Sequence, residues 1–185
     1  MKHESVFSGF GGQGVLTAGM ILCYAGLNEG KEVCWMPSYG PEMRGGTANC
    51  IAIVSDEKIS SPIISKFDSV VAFNQPSVDK FESMVKPGGN LFYESTNVIS
   101  PPTRTDIDIF PIPAANEANK LNNLKVLNLI MLGAFNGVTN LVDDESIVFG
   151  LKQVLPERYH NLIPLNKEAY LIGKRLVEDI LSKVG

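Results

Sequence analysis

The segment Val6-Phe7-Ser8-Gly9-Phe10-Gly11-Gly12-Gln13-Gly14-Val15-Leu16 constrains this 185-residue chain more than any other. A short apolar run enters a glycine-rich bend, and a helical pattern opens on its far side. Gly9, Gly11 and Gly14 hold the spacing G-x-G-x-x-G between a predicted strand and a predicted helix. Glycine permits a tight turn and lets the backbone come close to a neighbour. The N–H groups of the first helical turn lack partners inside the helix and favour an anion above them. This start predicts a Rossmann-like α/β fold, a mostly parallel sheet with helices on both faces, and residues 1–185 suit a single domain.

Dinucleotide binding needs more than the bend. It needs a carboxylate about 20 residues further on, at the end of the second strand, to hold the ribose hydroxyls. The second strand is predicted over Lys31 to Met36, after a helix stop at Gly30, and its end reads Trp35-Met36-Pro37-Ser38 without an acid. Glu32 stands at the wrong end and Glu42 well beyond. The bend therefore survives without a ribose anchor, which argues against NAD(P), and its glycines serve either close packing or an anion above the helix.

The rest of the chain alternates strands with helices. Val15, Ala18, Ile21, Leu22 and Ala25 recur at helical spacing up to Asn28. Strands are predicted at Val33 to Met36, Ala48 to Val54, Ser69 to Phe73, Asn90 to Tyr93 and Asp106 to Ile112. Ser69 to Phe73 has the unbroken apolar character of a buried parallel strand. Pro76 to Val85 reads as a helix broken by Pro87-Gly88-Gly89. From Ala114 the pattern is mostly helical. Val126 to Phe135 is apolar on nearly every side, ends at Asn136-Gly137, and belongs in the core or at a subunit contact. A last helix runs from Asn166, a candidate cap, to Lys183.

Composition narrows the function classes. A net charge of −4 and the lack of any basic stripe argue against a nucleic-acid surface. Val126 to Phe135 is interrupted by Asn128 and too short for a bilayer span. With Met1-Lys2-His3-Glu4 leading straight into the first strand, a cytoplasmic location is expected. Cys23, Cys34 and Cys50 form no C-x-x-C pair, so they read as apolar packing and no metal is assigned to the chain. His3 and His160 suggest no triad, and no catalytic residue is assigned.

Between the second and third strands lies Met36-Pro37-Ser38-Tyr39-Gly40-Pro41-Glu42-Met43-Arg44-Gly45-Gly46-Thr47-Ala48-Asn49-Cys50. Prolines stiffen this loop and glycines let it bend, so it is held in a particular shape. It leaves the carboxyl end of its strand, the edge where open α/β sheets place ligands. Arg44 suits a phosphate or carboxylate, or else Glu42 and Arg44 clamp the loop or a neighbouring subunit.

G-F-G-G-Q-G at Gly9 to Gly14 together with P-S-Y-G-P-E-M-R-G-G-T-A-N-C at Pro37 to Cys50 resembles the gamma subunit of 2-oxoacid:ferredoxin oxidoreductases, the pyruvate, 2-oxoglutarate and 2-oxoisovalerate enzymes. The Gly-Pro-Glu-Met-Arg-Gly-Gly-Thr form is most similar to the 2-oxoglutarate type. The resemblance implies a cytoplasmic complex that decarboxylates a 2-oxo acid on thiamine diphosphate with magnesium, passes electrons through iron–sulfur clusters to ferredoxin and gives the acyl group to coenzyme A. Alpha, beta and ferredoxin-like delta subunits would bring those cofactors, and this chain alone would be inactive. Gly9, Gly11, Gly12, Gln13 and Gly14 would meet a phosphate or a partner. Ser38, Tyr39, Gly40, Glu42, Met43, Arg44, Gly45 and Gly46 would form an interface. The rival readings are a free-standing nucleotide-dependent reductase and a module for a phosphorylated ligand.

Overall fold

The computed structural model describes residues 1–40 and 47–184. Within them, strands β1 (Lys2–Phe10), β2 (Glu32–Tyr39), β3 (Thr47–Ser55), β4 (Phe67–Ala72), β5 (Val85–Glu94) and β6 (Asp108–Ile112) form one sheet, in the order β2-β3-β1-β4-β5-β6. β1, β4, β5 and β6 are parallel neighbours. β3 runs against both β1 and β2. The sheet is thus mostly parallel, as expected, but one edge is an antiparallel hairpin. Chain length forces this: residues 40–46 are too few for a crossover, which takes roughly a dozen residues, whereas a hairpin needs only a few.

Helices α1 (Val15–Asn28), α3 (Ala114–Lys120), α4 (Leu127–Thr139), α5 (Asp144–Val154) and α6 (Ile163–Val184) belong to one face of the sheet, and α2 (Gln75–Phe81) to the other. Alternation along the strands divides the core accordingly. Phe7, Cys50, Ala52, Val71 and Phe92 pack under the large helical layer. Val6, Val70, Ala72, Leu91 and Tyr93 pack with Val78 and Phe81 on the other side. The Val, Leu and Phe side chains among them each contribute about 1.5–3 kcal/mol over the exposed state.

α4 is the keystone of the thicker layer, buried from Leu127 through Asn136, so the apolar run is core. It crosses α6 at very short range. A Cβ on Gly133 would strike the backbone carbonyl of Tyr170, and one on Gly173 that of Ile130. Asn136-Gly137 does not stop α4, contrary to the expectation from sequence. The helix continues to Thr139 and ends at Asn140, whose φ is +46°. Asn136 is instead a buried anchor. Its Oδ1 accepts from the Leu141 and Val142 N–H groups, and its Nδ2 donates to the Val142 carbonyl and the Tyr170 hydroxyl.

Other boundaries differ too. β2 runs past the predicted end at Met36 to Tyr39, because Pro37, Ser38 and Tyr39 still pair with Cys50, Asn49 and Ala48 of β3. α2 stops at Phe81, short of Val85, where β5 already begins. Pro87-Gly88-Gly89 lies inside β5 as an irregularity: the register with β4 steps from Phe67↔Val85 to Ser69↔Asn90, and Gly88 has φ +75°. Asn166 sits within α6 and does not cap it, its Nδ2 donating to the Leu162 carbonyl.

Candidate functional site

The turn after β1 is built from three differently constrained glycines. At Gly9 a Cβ would lie 2.6 Å from Gln13 Oε1 and 2.8 Å from Phe73 Cβ, so this glycine allows strand, turn and β4 to touch. Gly14 has φ +74° and a Cβ there would meet Asn128 Nδ2 at 2.6 Å. Gly12 has φ +92° with nothing within 4 Å. Its backbone is bent for a glycine and bare above.

Gln13 braces this turn. Its Oε1 accepts from Phe10 N–H at 2.7 Å and its Nε2 donates to the Phe73 carbonyl at 3.4 Å, so one side chain ties the ends of β1 and β4 together. Asn128 braces it from behind, donating to the Gly14 carbonyl at 3.1 Å and accepting from Leu129 N–H. The polar interruption in an apolar run was the one sequence signal that could have marked Asn128 for this place.

α1 begins with no side-chain cap and no acidic residue in its first turn. The N–H groups of Gly12, Gly14, Val15, Leu16 and Thr17 find no acceptor among the described residues. Together with the positive end of a 14-residue helix, they make a place for negative charge.

A cavity of about 390 Å³ opens over them. Its floor includes Gly11, Gly12 and Gly14, and its far wall is the end of the hairpin, with Tyr39, Gly40 and Thr47. The structure thus brings the glycine bend and the start of the Pro37–Gly46 loop to one edge of the sheet. Gly9 lies beneath the site and Gln13 beside it. Ser38 pairs with Asn49 across the hairpin and is exposed. Glu42, Met43, Arg44, Gly45 and Gly46 lie outside the described residues. Thr47 and Thr17, also lining this cavity, were not among the expected site residues.

In a dinucleotide site the second strand stands beside the first, with the acid at its end. Here β3 occupies that place, running the opposite way, with Thr47 opposite Phe10 and Asn49 opposite Ser8. β2 is one strand further out. The neighbour of the bend is therefore a strand beginning, which offers no terminal carboxylate. On the other flank, α1 and α2 leave β1 and β4 for opposite faces, so the bend stands at a topological switch point. Asn74 follows β4 there, caps α2 by accepting from Ser77 N–H, and keeps a buried Nδ2 without a partner among the described residues.

The thiols serve packing. Burial pushes the Cys50 thiol up to about 12 and raises that of Cys23 as well. Cys23 Sγ reaches the Cys34 carbonyl at 3.6 Å. His3 lies at the opposite end of β1, where burial lowers its pKa, and bonds Ser69 Oγ at 3.0 Å. Among the described residues no group of three or more His, Cys, Asp and Glu is placed to hold a metal, and no helix is long and apolar enough to cross a membrane.

Residues 4–176 match the family described as pyruvate ferredoxin/flavodoxin oxidoreductase. The 2-oxoglutarate synthase subunit KorC of Methanocaldococcus jannaschii is 34% identical over 182 residues, covering 95% of this chain and 96% of that one. The ketoisovalerate oxidoreductase subunit VorA of Methanothermobacter thermautotrophicus is 40% identical over 147 residues, 78% of this chain but only 30% of its own length. The chain thus spans about a third of that longer relative. Among solved structures, the keto/oxoacid ferredoxin oxidoreductase gamma subunit from Geobacter sulfurreducens superposes with a TM-score of 0.76 at 31% identity, covering 94% of this chain and 97% of that one. A 2-oxoglutarate:ferredoxin oxidoreductase from Magnetococcus marinus, solved with 2-oxoglutarate, coenzyme A and succinyl-CoA bound, shares the fold with a TM-score of 0.87 at 23% identity, over 96% of this chain and 31% of that one.

Proposed function

The chain belongs to the pyruvate ferredoxin/flavodoxin oxidoreductase family as a gamma-type chain, and from that premise we propose that its single domain, residues 1–185, acts inside a cytoplasmic 2-oxoacid:ferredoxin oxidoreductase complex. In this reading the complex oxidatively decarboxylates a 2-oxo acid, hands the acyl group to coenzyme A and passes electrons to ferredoxin. 2-Oxoglutarate is the favoured substrate, supported by the full-length match to KorC; 2-oxoisovalerate and pyruvate are the alternatives. Thiamine diphosphate, magnesium and iron–sulfur clusters belong to alpha, beta and delta partners in this reading.

The observation that carries the reading is the set of N–H groups of Gly12, Gly14, Val15, Leu16 and Thr17, without acceptors among the described residues, open above Gly12 and walled by the hairpin end. This cradle fits a diphosphate. The two negative phosphates would take the free donors, no carboxylate in the first helical turn repels them, and the missing Cβ at Gly12 leaves room for close approach. Coenzyme A supplies the thiol that accepts the acyl group. The residues of this chain hold and orient it: Gln13 fixes the turn to β4, Asn128 fixes it to α4, and the hairpin end shields one side. Ser38, Tyr39, Gly40, Glu42, Met43, Arg44, Gly45 and Gly46 then form the contact with the catalytic subunits. Tyr39, 59% exposed at the mouth of the cavity, is the anchor of that contact.

Purification of the native complex through a tag on this chain tests the reading. Partner chains identified by mass, and reduction of ferredoxin that requires both coenzyme A and one of the three 2-oxo acids, are expected. Arg44→Ala should weaken recovery of the complex by about tenfold, in the range of a single buried anchor, while the free subunit melts normally. Saturable micromolar NADH binding by the isolated chain, with no partners recovered, would favour the free-standing reductase instead.

A further inference from the structure

The connection from β5 to β6, residues 95–107, contains no helix or strand, yet its backbone is held along its length. Glu94, fully buried, accepts from the N–H groups of Thr96 and Asn97 and from Asn97 Nδ2. Gln75 Oε1 accepts from both Ile99 and Ser100 N–H, at 3.1 and 2.9 Å, and its Nε2 donates to the Ser100 carbonyl. Glu82 Oε1 accepts from Thr103 and Arg104 N–H, and Arg104 donates in return to the Glu82 and Val85 carbonyls. Val98 packs into the core beside α2, and Pro101-Pro102 stiffens the span between the two clamps.

In the middle of this fixed strap the Ile99 side chain is 91% exposed. An apolar side chain on a loose loop loses conformational freedom when it binds. One whose backbone is already bonded to a single glutamine has little left to lose. Ile63 is the contrast. It is 90% exposed as well, but its N–H bonds a serine two residues before it, at 3.3 Å. It also belongs to residues 56–66, a connection that begins and ends at the amino edge of the sheet. Gln75 begins α2 just beyond the carboxyl end of β4, so Ile99 stands at the carboxyl edge, with Phe10 and Tyr39. From β2 to β5 is four strand spacings, roughly 19 Å. Tyr39 and Ile99 therefore fit within one interface of standard size, about 800 Å² on each partner. In VorA and in the Magnetococcus marinus structure the matching region is about a third of the chain, so a module like this one is continuous there with a larger body of polypeptide.

Resting on the complex reading above, we propose that residues 95–107 form a preorganised docking strap for the catalytic polypeptide of the complex, with Ile99 as its anchor. The partner surface it fits is an apolar socket that takes the branched side chain and excludes water from it. The strap extends the contact begun at Tyr39 along the same edge of the sheet. Gln75 is a positioning residue: it acts through Ile99 by fixing where that side chain points.

The test titrates the full-length chain onto the partner chains released from the purified complex, with association read by interferometry. Ile99→Ala should weaken association by about tenfold, while Ile99→Leu and Ile63→Ala bind as the wild type does. Gln75→Ala should cost about threefold when Ile99 is present and nothing further in the Ile99→Ala background. A Gln75→Ala loss that persists without Ile99 would overturn the positioning role. Normal association of Ile99→Ala, with Tyr39→Ala weakened, would overturn the strap and leave the hairpin contact standing. An equal loss for Ile63→Ala would also overturn it, because surface apolarity alone would then suffice. Self-association of the wild-type chain in sedimentation, abolished by Ile99→Ala, would put a second copy on the strap in place of the catalytic polypeptide. Failure to recover any partner chain with the wild type would overturn the complex reading itself.

Discussion

The buried junction of α4, α5 and α6 and the exposed turn at Gly12 treat polar groups in opposite ways. At the junction Asn136 satisfies both ends of its amide, Tyr170 donates to Asp144 at 2.7 Å, and Lys174 closes the network on the same carboxylate. At the turn five N–H groups and a positive helix end are left without acceptors among the described residues. Both regions rest on glycines, but for different reasons. Gly133 and Gly173 are small because another backbone is already in contact, whereas Gly12 is small with nothing there. Closed polar networks rigidify a fold; an open one at a cavity mouth reserves its donors for a molecule from outside.

Substitutions on the two sides should separate stability from function. Gly133→Val drives a branched side chain into the Tyr170 carbonyl and should lower stability by about 3 kcal/mol or more, with a midpoint drop on the order of 10 °C in thermal melts. A variant that melts normally would remove the close crossing from the account. Asn136→Leu keeps volume but strands two N–H groups, a carbonyl and a hydroxyl. Chemical denaturation should show a loss of about 2–3 kcal/mol. Gly12→Ala inverts the pattern: its positive φ makes alanine unfavourable by only about 1 kcal/mol, yet coenzyme A binding by the complex should fall by at least about tenfold. Equal losses at both sites would erase the contrast between them.

The smallest effect is one of pH. Burial alone would raise the Asp144 carboxyl, but Lys174 and Tyr170 pull it down further, to a net lowering. A depressed carboxylate stabilises the fold above its unfolded pKa, about 3.9, and that contribution disappears as pH falls through the folded value. The stability gap between wild type and Asp144→Asn should therefore be widest near neutrality and shrink below about pH 4. A gap that stays constant down to pH 3 would show that the charge contributes nothing.

Much of this was legible in the residues. Gly9 to Gly14 announced strand, turn and helix, because the glycine spacing and the helical periodicity that follows are local properties. The burial of α4 followed from its unbroken apolar run. Asn136 misled because an asparagine before a glycine reads as a helix stop until its distant partners, the chain at Leu141 and Val142 and the Tyr170 hydroxyl, are known. Sequence placed the Pro37–Gly46 loop at the same edge as the bend, and Tyr39 and Gly40, its described residues nearest that edge, line the cavity with Gly12.

What the linear chain determined, then, was its elements and its family: local spacing sets turns and helices, and the paired glycine and Pro37–Cys50 motifs are contiguous strings. The tertiary structure decided which strand stands next to the bend. β3 lies there because a seven-residue link can only reverse the chain, so the neighbour of β1 arrives head-on and brings no terminal acid. It also decided that residues 95–107 lie against α2 with Ile99 turned outward, since only folding brings Gln75 and Glu82 to that stretch of backbone.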